Sequence, residues 1–142
     1  MKEDTHLNSM FAKFKILQRP YANGLQQVLG PYQMSEAQWG LIRYISEVGP
    51  ATNSEIALYW SVEKPSVTAL AQKLIDQHLI YVVYGTDKRK KVMHLTEEGI
   101  VKYQQLKKVV HAFQASLLVD ITEEECEVVE KVLEKLQQNF RK

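Results

Sequence analysis

Tyr84-Gly85-Thr86-Asp87-Lys88-Arg89-Lys90-Lys91-Val92-Met93-His94-Leu95-Thr96-Glu97-Glu98-Gly99 is the stretch on which the fold turns. Its four consecutive bases, Lys88 to Lys91, lie between two apolar runs: Leu79, Ile80, Tyr81, Val82, Val83 and Tyr84 before them, and Val92, Met93 and Leu95 after. The first run is β-branched and aromatic, so the pattern predicts two short strands joined by a basic tip from Gly85 to Lys91. Like charges gathered on a projecting tip repel. A polyanion such as DNA phosphate offsets that repulsion and releases counterions on contact, which makes nucleic acid the expected partner. A solvated surface loop is the plainer reading of the same bases. The segment that precedes the hairpin decides against it.

That segment reads as two short helices. Thr52-Asn53-Ser54-Glu55 has the form of a capping box and opens a helix with Ile56, Ala57 and Trp60 inward, ending at Ser61. Glu63-Lys64-Pro65 begins the next, because proline is tolerated in a first turn where its missing N–H had no partner. Val67, Leu70, Ala71 and Leu74 are expected to bury one side, leaving Lys64, Ser66, Thr68, Ala69, Gln72 and Lys73 outward. Two short helices joined by a turn of about four residues, the second short of acids on its outer face, make a helix-turn-helix. A basic hairpin directly after that pattern favours a nucleic-acid surface. Lys64 and Lys73 can neutralise phosphates, Ser66 and Thr68 can donate to phosphates or base edges, and Gln72 can pair with adenine.

Longer helices flank this unit. Met10, Phe14, Leu17, Tyr21, Leu25 and Val28 recur at steps of four and three, predicting a helix from about residue 6 to Leu29, kinked at Pro20 and ended by Gly30-Pro31. Ser35 and Gln38 form a capping box before Trp39, Leu41, Ile42 and Ile45, and Gly49-Pro50 stops that helix. Beyond the hairpin, Thr96 is the expected N-cap of a helix marked by Val101, Leu106, Val110, Phe113 and Leu117. Thr122 to Glu125 then cap a last one carrying Cys126, Val129, Leu133, Leu136 and Phe140. The outer stripes must pack on each other or on a second copy of the chain.

With 142 residues, 45% of them apolar, the chain can fill one core. Net charge is only +1, so a nucleic-acid surface has to come from segregation, and segregation is visible. Ser61 to Lys91 holds six bases against three acids, whereas Ile121 to Lys135 holds six Glu and two Lys. The lone Cys126 excludes an internal disulfide and suits a reducing cytosol. No apolar run approaches signal-peptide or membrane-span length, so a soluble cytoplasmic protein is expected, with no membrane partner. His6, His78, His94 and His111 are dispersed, with no pair three or four apart, and no metal site or cofactor is expected. A Gly-rich phosphate loop and a nucleophile beside a positioned base are both missing, which excludes the common enzyme classes. Cys126 sits on an apolar stripe and reads as a buried small residue rather than an oxidant sensor.

Taken together, Ser54-Glu55-Ile56-Ala57, Lys64-Pro65-Ser66-Val67-Thr68, Leu74-Ile75-Asp76-Gln77-His78-Leu79-Ile80, Asp87-Lys88-Arg89 and Leu95-Thr96-Glu97-Glu98-Gly99 occur in an order and at intervals that resemble MarR-type winged-helix transcriptional regulators. The resemblance spans nearly the whole chain. It implies a mainly α fold with a small β-hairpin wing: one domain over 1–142, with 33–100 as winged helix-turn-helix core and 1–32 and 101–142 as dimerisation helices. It also implies a homodimer on double-stranded DNA, the helix from Lys64 to about Gln77 in a major groove and the hairpin at the adjacent minor groove. There Arg89 would insert, with Asp87 holding its guanidinium, where a narrow groove concentrates negative potential. Two residues depart from the family pattern: Glu63 replaces a small N-cap residue, and Ala69 replaces a long polar one.

The resulting expectation is a sequence-specific, ligand-responsive repressor on an inverted-repeat operator. Its DNA-binding residues are Lys64, Pro65, Ser66, Thr68, Gln72, Lys73, Asp87, Lys88, Arg89 and Lys90. A small apolar or phenolic effector would find Met10, Phe14 and Tyr21 along the first helix, although core packing is the stronger account of those residues. The alternative is a winged-helix protein-interaction module without specific DNA binding.

Overall fold

The structure is a computed structural model and describes residues 2–87 and 89–141, with side chains from Asn8 onward. Lys88, in the middle of the basic run, lies outside the described residues, as does the His6 side chain. The chain forms α1 (Lys2–Leu29), a 3-10 turn (Gly30–Tyr32), α2 (Glu36–Glu47), β1 (Ala51–Thr52), α3 (Asn53–Trp60), α4 (Lys64–Asp76), β2 (Ile80–Tyr84), β3 (Lys91–Leu95), α5 (Glu97–Ser116) and α6 (Glu123–Phe140). Two compact units result, one reaching to Val110 and one beginning at His111. No helix among the described residues is long and apolar enough to cross a membrane.

In the first unit the caps form where local sequence asks for them. The Ser35 hydroxyl accepts from the Gln38 N–H at 3.1 Å, and the Gln38 side chain accepts from the Ser35 N–H at 2.7 Å. Gln38 is 3% exposed, and its amide nitrogen also donates to Gln77 at 3.0 Å. Gln77 is the C-cap of α4, so a single buried amide closes α2 and anchors the far end of α4. At α3 only half of the expected capping box exists. Thr52 accepts from the Glu55 N–H, but the Glu55 carboxylate takes the Thr52 hydroxyl proton instead of the Thr52 N–H.

The sheet has the order β1-β3-β2, antiparallel throughout, with Val82 opposite Met93 and Ala51 opposite Met93 on the other side. The hairpin is as expected, except that Lys91 already belongs to β3. The two-residue β1 is an addition, since so short a strand has no readable periodicity. Leu41, Ile42, Ile56, Val67, Leu74 and Met93 pack inside. Leu70 and Trp60, expected inward, are only half-buried.

α5 enters this core along Leu106 and Val110, as its apolar stripe suggests, but its N-terminal turns bury other residues than expected. Val101 is 64% exposed, while Gly99, Tyr103, Leu106 and Val110 are buried. The Tyr103 ring stacks on Trp39 of α2 with centroids 5.8 Å apart, and its hydroxyl donates to Glu47 at 2.7 Å. Glu47 is also held by Arg43 at 3.5 Å. Burial first, and then the Glu47 carboxylate, raise the Tyr103 hydroxyl above its usual value of 10.0. Ionised Tyr103 is therefore disfavoured in the folded state. Its contribution is intact below about pH 10 and is lost as pH rises beyond that. Tyr103→Phe, which keeps the stack, is expected to lower stability by about 1 kcal/mol at neutral pH and to flatten the alkaline decline. Urea titrations of both proteins at neutral and alkaline pH check this.

α1 runs from Lys2 to Leu29 with Pro20 inside it. Among its described side chains, Leu25 and Leu29 near the C-terminal end are the ones buried in the core. Met10 and Phe14 are 48% and 47% exposed, and Tyr21 is half-buried, so core packing within one chain does not account for the first two.

In the second unit, Thr122 and Glu125 form the expected reciprocal cap of α6. None of the α6 residues is buried. Cys126 is half-exposed rather than buried, and Val129, Leu133 and Phe140 are exposed.

Candidate nucleic-acid interface

α3 ends because Ser61 adopts the left-handed region at φ 57°, and Ser61 to Glu63 carry the chain to α4. Glu63 makes no side-chain cap, and at the first turn of α4 the Ser66 N–H donates to the Glu63 carbonyl at 3.1 Å. Val67, Ala71 and Leu74 turn inward. Lys64, Pro65, Ser66, Thr68, Ala69, Gln72 and Lys73 are all exposed, as the spacing predicts.

Hydrogen bonds narrow what two of these residues offer. The Thr68 hydroxyl donates its one proton to the Lys64 carbonyl at 3.1 Å and accepts from the Asn53 amide at 3.2 Å. It thus presents acceptor capacity and a methyl, not the donor that the sequence suggests. The Gln72 amide nitrogen donates to Asp76 at 2.9 Å. A carboxylate only accepts, so this contact sets which way the Gln72 amide faces.

At the wing tip, the Gly85 N–H donates to the Lys90 carbonyl at 2.9 Å and the Lys90 N–H to the Asp87 carbonyl at 2.8 Å. The Asp87 carboxylate accepts from the Arg89 N–H at 3.1 Å, an Asx turn. The same oxygen lies 3.8 Å from the Arg89 guanidinium. That side chain is 94% exposed, so the ion pair itself adds little stability. Asp87 shapes the turn and stands beside the guanidinium at once. Lys91 lies over the Tyr84 ring, 5.7 Å from its centroid.

These parts converge on one cleft of about 360 Å³, lined by Thr52, Asn53, Ser54, Lys64, Thr68, Arg89, Lys90 and Lys91. The N-terminal turn of α3, the start of α4 and the wing tip share it. Lys64, Arg89 and Lys90 are expected from sequence to act together, and the fold brings them together. Lys73, Ser66 and Gln72 lie along α4 outside this cleft. Sequence reasoning passes over Thr52, Asn53 and Ser54, and it counts Lys91 in the basic run without placing it among the site residues. Polar residues at a helix start, where free amides attract anions, are the signal for the first three, and plain charge is the signal for Lys91. Among the described residues no group of three His, Cys, Asp or Glu side chains is placed to hold a metal.

A basic antiparallel wing standing beside the second helix of a helix-turn-helix defines a winged-helix, DNA-binding class of protein. A sequence profile of the MarR family matches residues 32–90. The uncharacterized HTH-type transcriptional regulator YwoH of Bacillus subtilis is 31% identical over 109 residues, which cover 77% of this chain and 80% of that one. The chain belongs to the MarR family of transcriptional regulators. Among solved structures, a Staphylococcus aureus MarR in complex with salicylate and kanamycin is similar at TM-score 0.82 and 25% identity, over 98% of this chain and 95% of that one. A mutant MarR from E. coli complexed with operator DNA is similar in fold at TM-score 0.78 and 20% identity, over 92% and 95%.

Proposed function

We propose that this regulator is a homodimeric, ligand-responsive repressor that binds an inverted-repeat operator, with half-sites about one helical turn apart. The observation that carries the proposal is the shared cleft, where Lys64 from α4 and Arg89, Lys90 and Lys91 from the wing surround the N-terminal turn of α3. Cations converging on a helix start form a phosphate-binding surface. With that surface on the backbone, α4 lies along the major groove with Pro65, Ser66, Thr68, Gln72 and Lys73 toward DNA. The wing reaches the minor groove with Arg89, beside Asp87 and Lys88.

Two reading heads require association. Residues 1–32 and 101–142 are assigned this role within a single domain, and the half-exposed Met10 and Phe14, with the unburied apolar residues of α6, support it. Repression follows from occupancy alone, since a dimer on its operator excludes other proteins from the same DNA. An effector acts if it prefers a dimer whose heads are spaced differently from successive major grooves. A small apolar or phenolic compound near Met10, Phe14 and Tyr21 fits the apolar character of that segment, and the salicylate complex of the S. aureus protein supports the chemical class. The chain's place of action would be the cytoplasm, where its operator is.

Selection from random duplex DNA at two salt concentrations tests the reading. An enriched palindrome, bound tightly and less so at higher salt, is expected. If no sequence is enriched and binding is weak at both salts, a winged-helix module for protein partners takes its place.

A further inference from the structure

Pro65, Thr68, Ala69 and Gln72 are spaced i, i+3, i+4 and i+7, which lays them in one stripe along the outward face of α4. With Lys64 they line a shallow, mainly apolar depression. Apolar lining is unusual on a face meant for a polyanion. It is built from a proline ring, the Ala69 methyl and whatever Thr68 contributes. Thr68 has its hydroxyl tied on both sides, to the Lys64 carbonyl and to Asn53. A fixed hydroxyl fixes the rotamer, and the γ-methyl is the group left for the depression. At the end of the stripe, Gln72 has one amide hydrogen held by Asp76, leaving a second hydrogen and the carbonyl oxygen.

In the major groove only thymine carries a methyl, and only adenine pairs an acceptor at N7 with a donor at N6. Reading guanine takes a long donor such as arginine or lysine, and within the depression Lys64 alone has one. We infer that α4 reads A·T pairs, seating a thymine methyl against Pro65, Thr68 and Ala69, with Gln72 placed for an adenine and Asn53 acting as the positioning residue that turns the Thr68 methyl outward. The inference rests on the DNA-binding reading above and adds the base class it selects.

The test uses the full-length protein and the selected operator, with each thymine replaced in turn by deoxyuridine, which removes only the methyl. One or two positions in each half-site should weaken binding about three- to fivefold, the value of one buried methyl-sized group. Thr68→Ser keeps the hydroxyl and its two hydrogen bonds but lacks the γ-methyl. In that variant the deoxyuridine penalty at the same position should shrink toward onefold, with thermal stability unchanged. The inference is overturned if no thymine is sensitive to loss of its methyl, if the penalty is the same in Thr68→Ser and Ala69→Ser as in the parent, or if the protected half-sites contain only G·C pairs. Failure to enrich any site overturns the DNA-binding reading itself, and this one with it.

Discussion

Gly99→Ala is expected to lower stability by about 3 kcal/mol or more, and the melting temperature by roughly 10 °C, although it adds one methyl group to a helix. Gly99 is the third residue of α5, and its N–H donates to the hydroxyl of Thr96 at 2.9 Å. A Cβ there would run into the carbonyl oxygen of Leu79, with the Leu79 carbonyl carbon at 3.1 Å and a Leu95 methyl at 3.2 Å. The obstruction is backbone, so no rotamer change relieves it. That same carbonyl accepts the Thr96 N–H at 3.1 Å, and the Thr96 hydroxyl donates to the His78 carbonyl at 2.7 Å. Moving Leu79 therefore disturbs the corner through which α4 passes into β2, where His78 already adopts the left-handed region at φ 61°. DNA affinity should fall along with stability, because α4 and the wing share this corner. Gly85→Ala is the control. The nearest atoms to its Cβ are at 3.8 Å, ordinary contact, and a change within about 0.5 kcal/mol is expected. Equal melting temperatures for Gly99→Ala and the parent, measured at one protein concentration, would remove the basis of the argument.

Loss of Arg89, Lys90 and Lys91 together should abolish most of the DNA affinity while sparing the fold. Each phosphate neutralised contributes about 0.9 to the slope of log affinity against log salt. Removing three such cations from each of the two wings of a dimer should flatten that slope by about 5.4 and, relative to 1 M salt, weaken binding on the order of 100,000-fold at 0.1 M. These side chains are exposed, and only Lys91 has a ring contact, so thermal unfolding should shift little. The triple alanine variant would be titrated against its operator and against random duplex at several salt concentrations. A loss below about tenfold with an unchanged slope would mean that the wing does not meet DNA and that the cleft serves another partner.

The parts that sequence alone makes legible are those decided within a turn of chain. Ser35 with Gln38 and Thr122 with Glu125 cap their helices as expected, since a hydroxyl and an amide or carboxylate three residues on reach each other's N–H groups whatever surrounds them. The stripe of Val67, Ala71 and Leu74 opposed to Lys64, Ser66 and Lys73 follows from the helical repeat. Apolar runs broken by glycine and charge suffice for the hairpin.

Two of the misreadings, at α5 and β1, share a cause in distant partners, and the third, at Thr52, is local. Leu106 and Val110 are buried as their spacing predicts, but near the start of α5 Tyr103 goes inward and Val101 does not, because Trp39 offers a ring to stack on and Glu47 an acceptor for the hydroxyl. Both partners lie on α2, more than fifty residues earlier. β1 exists because β3 has a second edge to pair, which nothing in Ala51-Thr52 announces. The Thr52 cap is incomplete because its hydroxyl turns to the Glu55 carboxylate.

By itself, then, the sequence determined the order of the six helices and the hairpin, most of the helix ends, the helix-turn-helix with its basic wing, and through them the family. Only the tertiary structure decided which groups act together. It set Asn53 against Thr68 across fifteen positions, turned the wing's cations toward the start of α3, and made Gly99 irreplaceable by alanine through a carbonyl twenty residues earlier. Periodicity and capping are short-range, repeated over every turn, and so are written in local composition. A contact between distant segments depends on how several elements pack at once, and no single stretch of sequence carries it.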